Sequence, residues 1–415
     1  MKLPLIPQGL SISIALCFIT SATLAPATTI SNLHSFPNNT NPFGPLTIDG
    51  SVLIGATSGG GSANHGTVYR MNSDGSSFAT IHSFSGDEGQ GGLPMTLVGT
   101  TLYGETSLGG SSGGGTVFRM SDDGTGFQTL HSFASSANDS SGSRPAGAVL
   151  VNGTTIYGTT TSGGASSVGI LYRMQTDGSG FQNIHTFSNL SGLGSMPTAQ
   201  LILDGSTIFG TTRLGGTSGG GTIFRVMTDG TGYQNVFSFS SFASSVTGMD
   251  PTGLMLVGNT FYGTTHSGST LGGGTVFAVE KDGSNFRLLH SFGSSTPTGY
   301  GPEGPLTLVG SMLYGITDFG ASSQTSNHGT LYQINTDGSG FNILVPDILL
   351  GSGSNNSKSL VNDGTSLYGI TVQGPGAGGG IIYSLSVPEP YSLILFGLGV
   401  CALAPLLKKR KRLSI

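Results

Sequence analysis

Cysteine is nearly absent from this chain, and its two copies stand near the ends. Cys17 and Cys401 belong to apolar terminal segments, so the long region between them contains no thiol. That region therefore has no disulfide, no cysteine-based metal site and no thiol nucleophile.

Charged residues are also scarce, at 8% of 415 residues, and basic ones are scarcest in the middle of the chain. Between residues 28 and 387 lie nine of the fifteen lysines and arginines, against nineteen of the twenty acidic residues. Such an acidic region has no basic stripe that could follow a phosphate backbone. Nucleic acid is therefore not an expected partner.

Glycine, in contrast, is abundant, with 72 copies, and it recurs with a period. A glycine-rich composition without a period would indicate disorder. Here an apolar residue followed by glycine occurs seven times at similar spacing, at Ile54-Gly55, Tyr103-Gly104, Tyr157-Gly158, Phe209-Gly210, Tyr262-Gly263, Tyr314-Gly315 and Tyr368-Gly369. We call these seven glycines the marker glycines. A period near 50 residues along the whole middle region predicts an array of structural repeats.

Each repeat reads as four short strands. In the second repeat, residues 95–98, 101–106, 115–120 and 127–133 are β-branched or aromatic runs bounded by turn residues. An Asp-Gly pair before the fourth run indicates a hairpin, because both residues accept positive φ. Seven units of four antiparallel strands predict an all-β, seven-bladed β-propeller, with a linear β-solenoid as the alternative.

The two ends of the array are offset by one strand. The seventh unit stops after its third strand, at residues 380–385, while a spare strand with the Leu-His-Ser-Phe pattern stands at residues 30–36. Pairing the two closes the ring and removes the open sheet edges. We therefore expect residues 28–386 to form the propeller, with residues 30–36 completing the last blade.

The N-terminus has the three parts of a secretory signal peptide. They are Lys2, an apolar core at residues 10–20 and a small-x-small cleavage site formed by Ala25 and Ala27. We expect export by the Sec machinery and removal of residues 1–27. An uncleaved anchor helix is the alternative, but the apolar core is short for a membrane span.

The C-terminus, residues 387–415, also has three parts. A Val-Pro-Glu-Pro motif at residues 387–390 is followed by an uncharged stretch at 391–407 and a basic run at 408–412. As a helix, the uncharged stretch is about 25 Å long, and lysine side chains can bridge its shortfall from a hydrocarbon core of about 30 Å. A transmembrane helix is expected, with the repeats outside the cytoplasm because the basic residues favour the cytoplasmic side, namely Lys408, Lys409, Arg410, Lys411 and Arg412.

This tail resembles the PEP-CTERM sorting signal of Gram-negative bacteria. In that family an exosortase, a membrane transpeptidase-like enzyme, recognises the Pro-Glu-Pro sequence and releases the protein to the cell surface or extracellular matrix. The resemblance implies that Pro388, Glu389 and Pro390 are substrate residues of an exosortase and not catalytic residues. A tail anchor that is never processed is the alternative.

The repeats resemble the GloVer tandem repeat of surface proteins with assorted C-terminal anchors. The resemblance rests on the recurring words Tyr-Gly-x-Thr, Gly-Thr-Val-Phe-Arg, Asp-Gly-Ser-Gly-Phe and Leu-His-Ser-Phe. The family has no assigned biochemical activity, so the resemblance implies an architecture and no chemistry. Kelch-type repeats and sialidase-type Asp boxes both require tryptophan, which this chain lacks.

Two polar residue types recur at fixed positions of the repeat. Because such residues are spread around the ring, we expect packing roles for them and no common site. The arginines are expected to pair with a neighbouring blade or to lie over an aromatic ring. The histidines are His34, His82, His131, His185 and His290, with Phe237 in the fourth blade, and the arginines are Arg70, Arg119, Arg173 and Arg225.

The long, divergent connections between strands all emerge on one side of a propeller, and we call this side the loop face. Variable loops on a rigid scaffold are the usual binding surface. The third residue after the marker glycine lies on this face and is Arg213, His266 and Asp318 in three adjacent blades, while Glu105 is the only charged residue one step inside that ring. These four are the candidate ligand-binding residues for a polar ligand such as a glycan, with a solvated rim as the alternative. Tyr300 and Phe319 are candidates for stacking on a sugar.

These features predict an exported protein, anchored at the surface or associated with the extracellular matrix, that binds polysaccharide or a protein partner or has a structural role. No enzymatic activity, metal or cofactor is expected. The alternative is a glycan-active hydrolase or lyase, which needs two carboxylates or an acid–base pair near the axis. The sequence gives no reason to place any two of the candidate carboxylates together, these being Glu88, Glu105, Glu303 and Asp318.

Overall fold

The computed structural model describes residues 30–136, 139–190, 192–198, 200–242, 245–293, 298–320, 329–346, 359–372 and 378–386. They form seven antiparallel sheets, which we call blades 1 to 7 in chain order. The expected signal peptide, sorting motif, transmembrane helix and basic tail lie outside these residues. Within the described ranges no helix is both long and apolar enough to span a membrane.

The strands of the first four blades follow one another along the chain. Blade 1 contains β2 (Pro42–Asp49), β3 (Val52–Thr57), β4 (Thr67–Asn72) and β5 (Ala79–Ser83). Blade 2 contains β6 (Gln90–Gly92), β7 (Thr96–Val98), β8 (Thr101–Leu108), β9 (Gly113–Ser121) and β10 (Gln128–Ala134). Blade 3 contains β11 (Ser143–Pro145), β12 (Leu150–Asn152), β13 (Thr155–Ser162), β14 (Ile170–Gln175) and β15 (Gln182–Thr186). Blade 4 contains β16 (Gly194–Pro197), β17 (Ile202–Asp204), β18 (Thr207–Gly215), β19 (Gly219–Met227) and β20 (Gln234–Ser240).

The last three blades complete the ring. Blade 5 contains β21 (Met249–Val257), β22 (Thr260–Ser267), β23 (Gly272–Glu280) and β24 (Arg287–Gly293). Blade 6 contains β25 (Tyr300–Val309), β26 (Met312–Phe319), β27 (Leu331–Asn335) and β28 (Asn342–Val345). Blade 7 contains β29 (Val361–Asn362), β30 (Ser366–Thr371), β31 (Ile381–Ser386) and the N-terminal β1 (Ile30–Ser35).

Strand β1 closes the ring. It pairs antiparallel with β31, with Ile30 opposite Leu385 and Ser35 opposite Ile381. The backbone amide of Phe36 continues the ladder by donating to the carbonyl of Gly380 at 2.9 Å. The predicted seven-bladed propeller of four-stranded antiparallel blades is therefore confirmed, including its closure by the N-terminal strand, and the linear solenoid is excluded.

In blades 1 to 6 the first strand extends beyond the short apolar run that the sequence pattern predicts. In blade 2 the predicted strand corresponds to β7, but β6 also pairs with the far end of β8. Gly91, with φ of 73°, lies within β6, and Pro94 lies in the interruption between β6 and β7. Because proline cannot donate to a ladder and glycine weakens a strand, strand propensity misses this segment. In blades 1, 5 and 6 the same strand is continuous and crosses a register shift.

The hydrophobic core is divided into seven layers, each between two neighbouring blades. The layer between blades 7 and 1, for example, contains Phe36 and Tyr368 on one side and Leu53 and Tyr69 on the other. Each blade thus buries both faces against its neighbours, which is why the strands carry apolar side chains on both sides. Removing one blade would expose two layers.

The marker glycines are a packing requirement of this core. Each lies directly opposite a buried aromatic residue on the third strand, as Gly210 lies opposite Phe224. A Cβ atom added at Gly210 would lie 2.6 Å from Cζ of that ring. Glycine leaves room for the ring to lie over the backbone, so the most regular feature of the sequence follows from steric exclusion.

The recurrent histidines also pack between blades, as predicted. The His290 ring stacks on Phe341 of the next blade, with centroids 3.6 Å apart and an angle of 3°. In blade 4, Phe237 stacks on Phe286 in the same way. Burial lowers the pKa of His185 and of His290 to about 4. These side chains are therefore neutral at physiological pH and act as flat aromatic surfaces.

The recurrent arginines link neighbouring blades, with one exception. Arg119 donates from Nη1 to the carbonyl of Thr176 in blade 3 at 3.1 Å. Arg70 and Arg173 make the equivalent bond to the next blade, which confirms the prediction for these three residues. Arg225 instead donates to Gln234 of its own blade.

Candidate functional site

The first strands of the blades surround a channel along the propeller axis. Toward the loop face, this channel holds a cavity of about 260 Å³ lined by first-strand residues of six blades, including Pro94, Ala146 and Pro305. Toward the opposite face lies a second cavity of about 560 Å³. Both cavities are lined mainly by apolar and small side chains, so the channel itself offers little chemistry.

A third, smaller cavity beside the channel has a different character, and we call it the acidic pocket. Its volume is about 230 Å³, and it shares two threonines with the channel cavity on the loop face. Its lining comes from blades 4, 5 and 6 and consists of Thr198, Arg213, Asp250, Thr252, His266, Glu303 and Asp318. The structure thus brings together Arg213, His266 and Asp318, three of the four predicted ligand-binding residues.

Repeat geometry explains how these side chains meet. Arg213, His266 and Asp318 occupy the same position near the ends of β18, β22 and β26, the second strands of adjacent blades. Asp250 and Glu303 come from β21 and β25, the first strands of blades 5 and 6. All five residues lie at the loop-face ends of first or second strands. Because the three blades pack side by side, their side chains meet in one pocket.

An ion pair forms one wall of the acidic pocket. Nε and Nη2 of Arg213 each lie 2.9 Å from Oδ2 of Asp250. Asp250 has a left-handed backbone with φ of 60°, a conformation that aspartate tolerates better than most residues. Its carboxylate therefore holds the guanidinium against blade 5.

The opposite wall is a histidine–carboxylate pair. Nε2 of His266 lies 3.5 Å from Oδ2 of Asp318, and its Nδ1 lies 3.0 Å from the Ser267 hydroxyl. The hydrogen bond with Asp318 raises the pKa of His266 above its usual value, against the opposing effect of burial, and the charges of nearby carboxylates act in the same direction as the bond. His266 therefore favours its charged form more than the recurrent histidines do.

One group in the acidic pocket has the donor atoms of a metal site. A ring nitrogen of His266 and one carboxylate oxygen each from Glu303 and Asp318 all lie within 4.8 Å of one another. No metal was expected from the sequence, because the Asp-Gly turns lack the carboxylates that a hard cation requires. The donors of this group come instead from two blades and three different strands.

Glu303 and Asp250 were not among the predicted ligand-binding residues, although the sequence carries a signal for Glu303. Glu303 comes directly after Pro302, the residue of β25 that pairs with Thr317 of β26. The equivalent pair of residues occurs in five other blades. In those blades the residue at this position is neutral, being Phe43, Leu93, Ala146, Thr198 or Thr252. An alignment of the blades would have shown Glu303 as a break in the repeat.

The fourth predicted residue, Glu105, lies elsewhere. It is fully buried between blades 2 and 3, where its Oε1 accepts a hydrogen bond from the Tyr172 hydroxyl. Burial raises the pKa of Glu105 to about 8, against the lowering effect of that bond, and burial also raises the pKa of Tyr172. Glu105 is therefore largely protonated at neutral pH and has no exposed surface for a ligand.

The two aromatic candidates for sugar stacking contact each other. Tyr300 and Phe319 are cross-strand partners in blade 6, and their rings stack with centroids 4.4 Å apart. One face of each ring is thus covered by the other. Their pairing leaves at most one face of each ring for a ligand.

Two solved structures share this fold at low sequence identity. Oligogalacturonate lyase from Vibrio parahaemolyticus is 13% identical, with a TM-score of 0.57 over 88% of this chain and 95% of that chain. An oligogalacturonate lyase in complex with manganese is also 13% identical, with a TM-score of 0.57 over 87% of this chain and 94% of that chain. At this identity the likeness is one of fold alone. No curated protein sequence matches this chain.

A family model, by contrast, matches nearly the whole repeat region. The Gloeobacter/Verrucomicrobia repeat matches three overlapping segments, residues 19–205, 101–258 and 241–396. Together the matches include all seven blades, in agreement with the resemblance of the repeats to the GloVer tandem repeat. The chain belongs to the Gloeobacter/Verrucomicrobia repeat family.

Proposed function

We propose that this chain is an exported, non-enzymatic propeller that binds an extracellular polysaccharide at the acidic pocket. The observation that carries the proposal is the convergence of five charged side chains from three blades on one cavity of about 230 Å³. Elsewhere around the loop-face mouth the equivalent positions carry Ser58, Ser107, Thr161 and Val372. Among the described residues, the position three after the marker glycine is charged or ionisable only in these three adjacent blades, which favours a binding role over a packing role.

The chemistry of the acidic pocket suits a polyhydroxylated ligand. Carboxylates accept hydrogen bonds from sugar hydroxyls, the guanidinium of Arg213 donates them, and Thr198 and Thr252 can do both. The cavity is smaller than the roughly 300–1,000 Å³ of sites for drug-sized ligands. We therefore expect it to hold a single sugar unit while the rest of the polysaccharide lies along the loop face.

A polysaccharide-binding assay tests this proposal. The full chain, purified in detergent, is run by affinity electrophoresis in gels that contain neutral or acidic polysaccharides. We expect retardation by at least one of them and a loss of affinity of roughly 10-fold or more in Arg213→Gln and Asp318→Asn, because each removes a charged hydrogen-bonding group. Arg144→Gln is the matched control, since Arg144 lies on the same face in blade 3 but outside the pocket. Retardation that is equal in all variants would contradict the site.

The terminal segments support the proposed location outside the cytoplasm. We propose that the Sec machinery exports the chain and that an exosortase-type enzyme recognises Pro388, Glu389 and Pro390, after transient anchoring by residues 391–407. In a Gram-negative host with an exosortase, we expect the full chain to be shortened at both ends and recovered from the surface or matrix fraction. Glu389→Ala is expected to remain in the membrane fraction, whereas Glu280→Ala is expected to behave as the wild type. Wild-type protein in the cytoplasm would contradict the proposal.

A glycan-active hydrolase or lyase is the second candidate, and one observation favours it. Carboxylate oxygens of Glu303 and Asp318 lie within 4.8 Å of each other and of His266. Two carboxylates at short range are the arrangement that glycosidases use, with a separation of about 5–5.5 Å in retaining enzymes. If the wild type released reducing ends or unsaturated sugars from a polysaccharide and Glu303→Gln did not, the enzymatic function would be favoured. Binding without turnover would favour the non-enzymatic proposal.

A further inference from the structure

We propose that His266, Glu303 and Asp318 form a binding site for one divalent transition-metal ion on the loop face. The site lies within the acidic pocket, but it does not depend on polysaccharide being the ligand there. Four observations carry the proposal: the spacing of the donor atoms, the orientation of the histidine ring, the charge of the pocket and the restriction of this donor set to one place in the repeat.

The donor atoms are spaced for a shared ion. Two ligand atoms bound about 2.1 Å from one ion lie roughly 3.0–3.4 Å apart at tetrahedral or octahedral angles. Nε2 of His266 and Oδ2 of Asp318 already lie 3.5 Å apart. All three residues offer a donor atom within 4.8 Å of the other two. Binding therefore requires these donor atoms to approach one another by only about 1–2 Å.

The histidine ring is held with Nε2 toward the carboxylates. Its other nitrogen, Nδ1, is engaged by the Ser267 hydroxyl at 3.0 Å. Histidine ligands of metals characteristically make such a bond through the nitrogen that does not bind the ion, which sets the tautomer and the ring orientation. Gly301, with φ of 68°, lies beside Nε2, and an added Cβ there would be 3.1 Å from it. Glycine at this position keeps the approach to Nε2 free of side-chain atoms.

The pocket carries more negative than positive charge. Arg213 is the only permanently charged cation among its lining residues, and it pairs with Asp250. Glu303 and Asp318 add two further carboxylates at close range. Because two negative charges at this distance repel each other, a divalent cation between them would offset their repulsion.

The donor set occurs where three departures from the repeat coincide. In the other blades the position of His266 and Asp318 is occupied by Ser58, Ser107, Thr161, Arg213 or Val372. The position of Glu303 is neutral in the five other blades in which its pairing is described. The cluster is thus not a by-product of the recurring sequence. Adjacent blades bring a nitrogen donor and two oxygen donors together at the mouth of the channel.

The donor types indicate the class of ion. An imidazole with two carboxylates suits Zn²⁺, Mn²⁺ and related ions, whereas Ca²⁺ and Mg²⁺ prefer sites made only of oxygen ligands. Three protein ligands leave at least one coordination position for water or a ligand hydroxyl. The cavity of about 230 Å³ provides space for that additional ligand.

Metal titration of the full chain tests the proposal. Protein purified in detergent and stripped with a chelator is titrated with Zn²⁺ and with Mn²⁺ by calorimetry, and the bound metal is quantified after dialysis. We expect one equivalent of saturable binding, with a dissociation constant in the micromolar range or below. His266→Gln and Asp318→Asn are each expected to weaken binding by at least 10-fold. His65→Gln is the matched control, because His65 follows the second strand of blade 1 on the same face and lines none of the acidic pocket.

Thermal unfolding provides a second measurement that is independent of variant yield. Binding to the folded state alone raises the melting temperature, so saturating Zn²⁺ is expected to stabilise the wild type and the His65→Gln variant but not His266→Gln. Absence of saturable binding would overturn the proposal, as would equal affinities in wild type and His266→Gln. Calcium binding as tight as manganese binding would overturn the assignment to transition metals.

Polysaccharide retention in the presence of a chelator separates this inference from the proposed function. If metal titration fails while retention persists, the metal site is refuted and polysaccharide binding stands. If metal binds with one equivalent and no polysaccharide is retained, the proposed function fails and the metal site stands.

Discussion

Histidine has opposite roles in two regions of this propeller. On the outer strands, burial against an aromatic ring of the next blade lowers the pKa, to about 4 for His185. At the mouth of the channel, His266 occurs once, faces Asp318, and has a raised pKa. The contrast shows that positions which obey the repeat build the ring, whereas positions which depart from it carry the candidate chemistry.

The two sides of the loop-face mouth differ in the same way. Along blades 1 and 2 the inner positions are neutral, with Phe43, Leu93, Ser58 and Ser107. Along blades 4 to 6 the equivalent positions supply the charged lining of the acidic pocket. A near-symmetric scaffold thus carries an asymmetric site, because loop-face positions contribute less to the inter-blade core and tolerate changes of charge.

A cavity in the repeated inter-blade core should destabilise the ring more than any change in the acidic pocket. Phe133 is fully buried in the layer between blades 2 and 3. We expect Phe133→Ala to lower the free energy of unfolding by about 3–5 kcal/mol, because it leaves a cavity in a close-packed layer. Chemical denaturation measures the change. Phe242→Ala is the control, since Phe242 is 73% exposed, and an unchanged midpoint in Phe133→Ala would refute the layered core.

Burial of Glu105 in the core should make the stability of the propeller depend on pH. Its pKa is raised to about 8 in the folded state, against an ordinary value of 4.5. Between these pH values the unfolded chain binds fewer protons at this carboxyl, so the contribution of Glu105 to stability is largest below about pH 4.5 and falls as the pH rises to about 8. Glu105→Gln keeps an acceptor for Tyr172 and removes this loss. Melting curves should therefore show the variant to be more stable than the wild type at pH 8 and similar to it at pH 4.5. If the variant and the wild type were equally stable at pH 8 as well, burial of the Glu105 carboxyl would be contradicted.

The recurrent histidines should make the ring acid-sensitive. Their folded-state pKa values lie below 6.5, so the unfolded chain binds more protons as the pH falls from about 6.5 to about 4, and stability is lost over that window. Phe237 shows that phenylalanine fits the same stack. We expect His185→Phe to reduce the fall in melting temperature between pH 6.5 and pH 4. A steeper fall in this variant would contradict the packing role.

The pKa of His266 should be shifted in the opposite direction to the pKa values of the outer-strand histidines, with only a small effect on stability. In chelated protein, NMR titration is expected to give His266 a pKa above 6.5 and the outer-strand histidines values below it. The charged form of the His266 ring is stabilised by Asp318, and Glu303 and Asp250 act in the same direction. The stability that His266 contributes is therefore present below pH 6.5 and is lost as the pH rises through the pKa of the folded state. Asp318→Asn should lower the pKa of His266, whereas Asp139→Asn should leave it unchanged. The same pKa in both variants would contradict the pairing.

Much of the fold could be predicted from the pattern of residues, and part of the site could not. The period of the marker glycines predicted seven units, and the spare strand at residues 30–36 predicted the closure that β1 makes with β31. The first strands were underestimated, because glycine and proline at their loop-face ends hide a strand that inter-strand pairing restores. Glu303 was recognised only as an isolated carboxylate, since its partners lie on other strands.

The repeat, the strand order and the ring follow from the pattern of residues alone, because they depend on local alternation, turn residues and steric contacts that recur in every unit. The same pattern shows that Arg213, His266 and Asp318 share one ring position. Which carboxylates join them depends on how the blades pack. Glu303 meets His266 because blades 5 and 6 pack side by side, and Glu105 is removed from solvent because Tyr172, 67 residues away in the chain, covers it. The physical reason is that charge and burial depend on distances across blades, which no spacing within one repeat records.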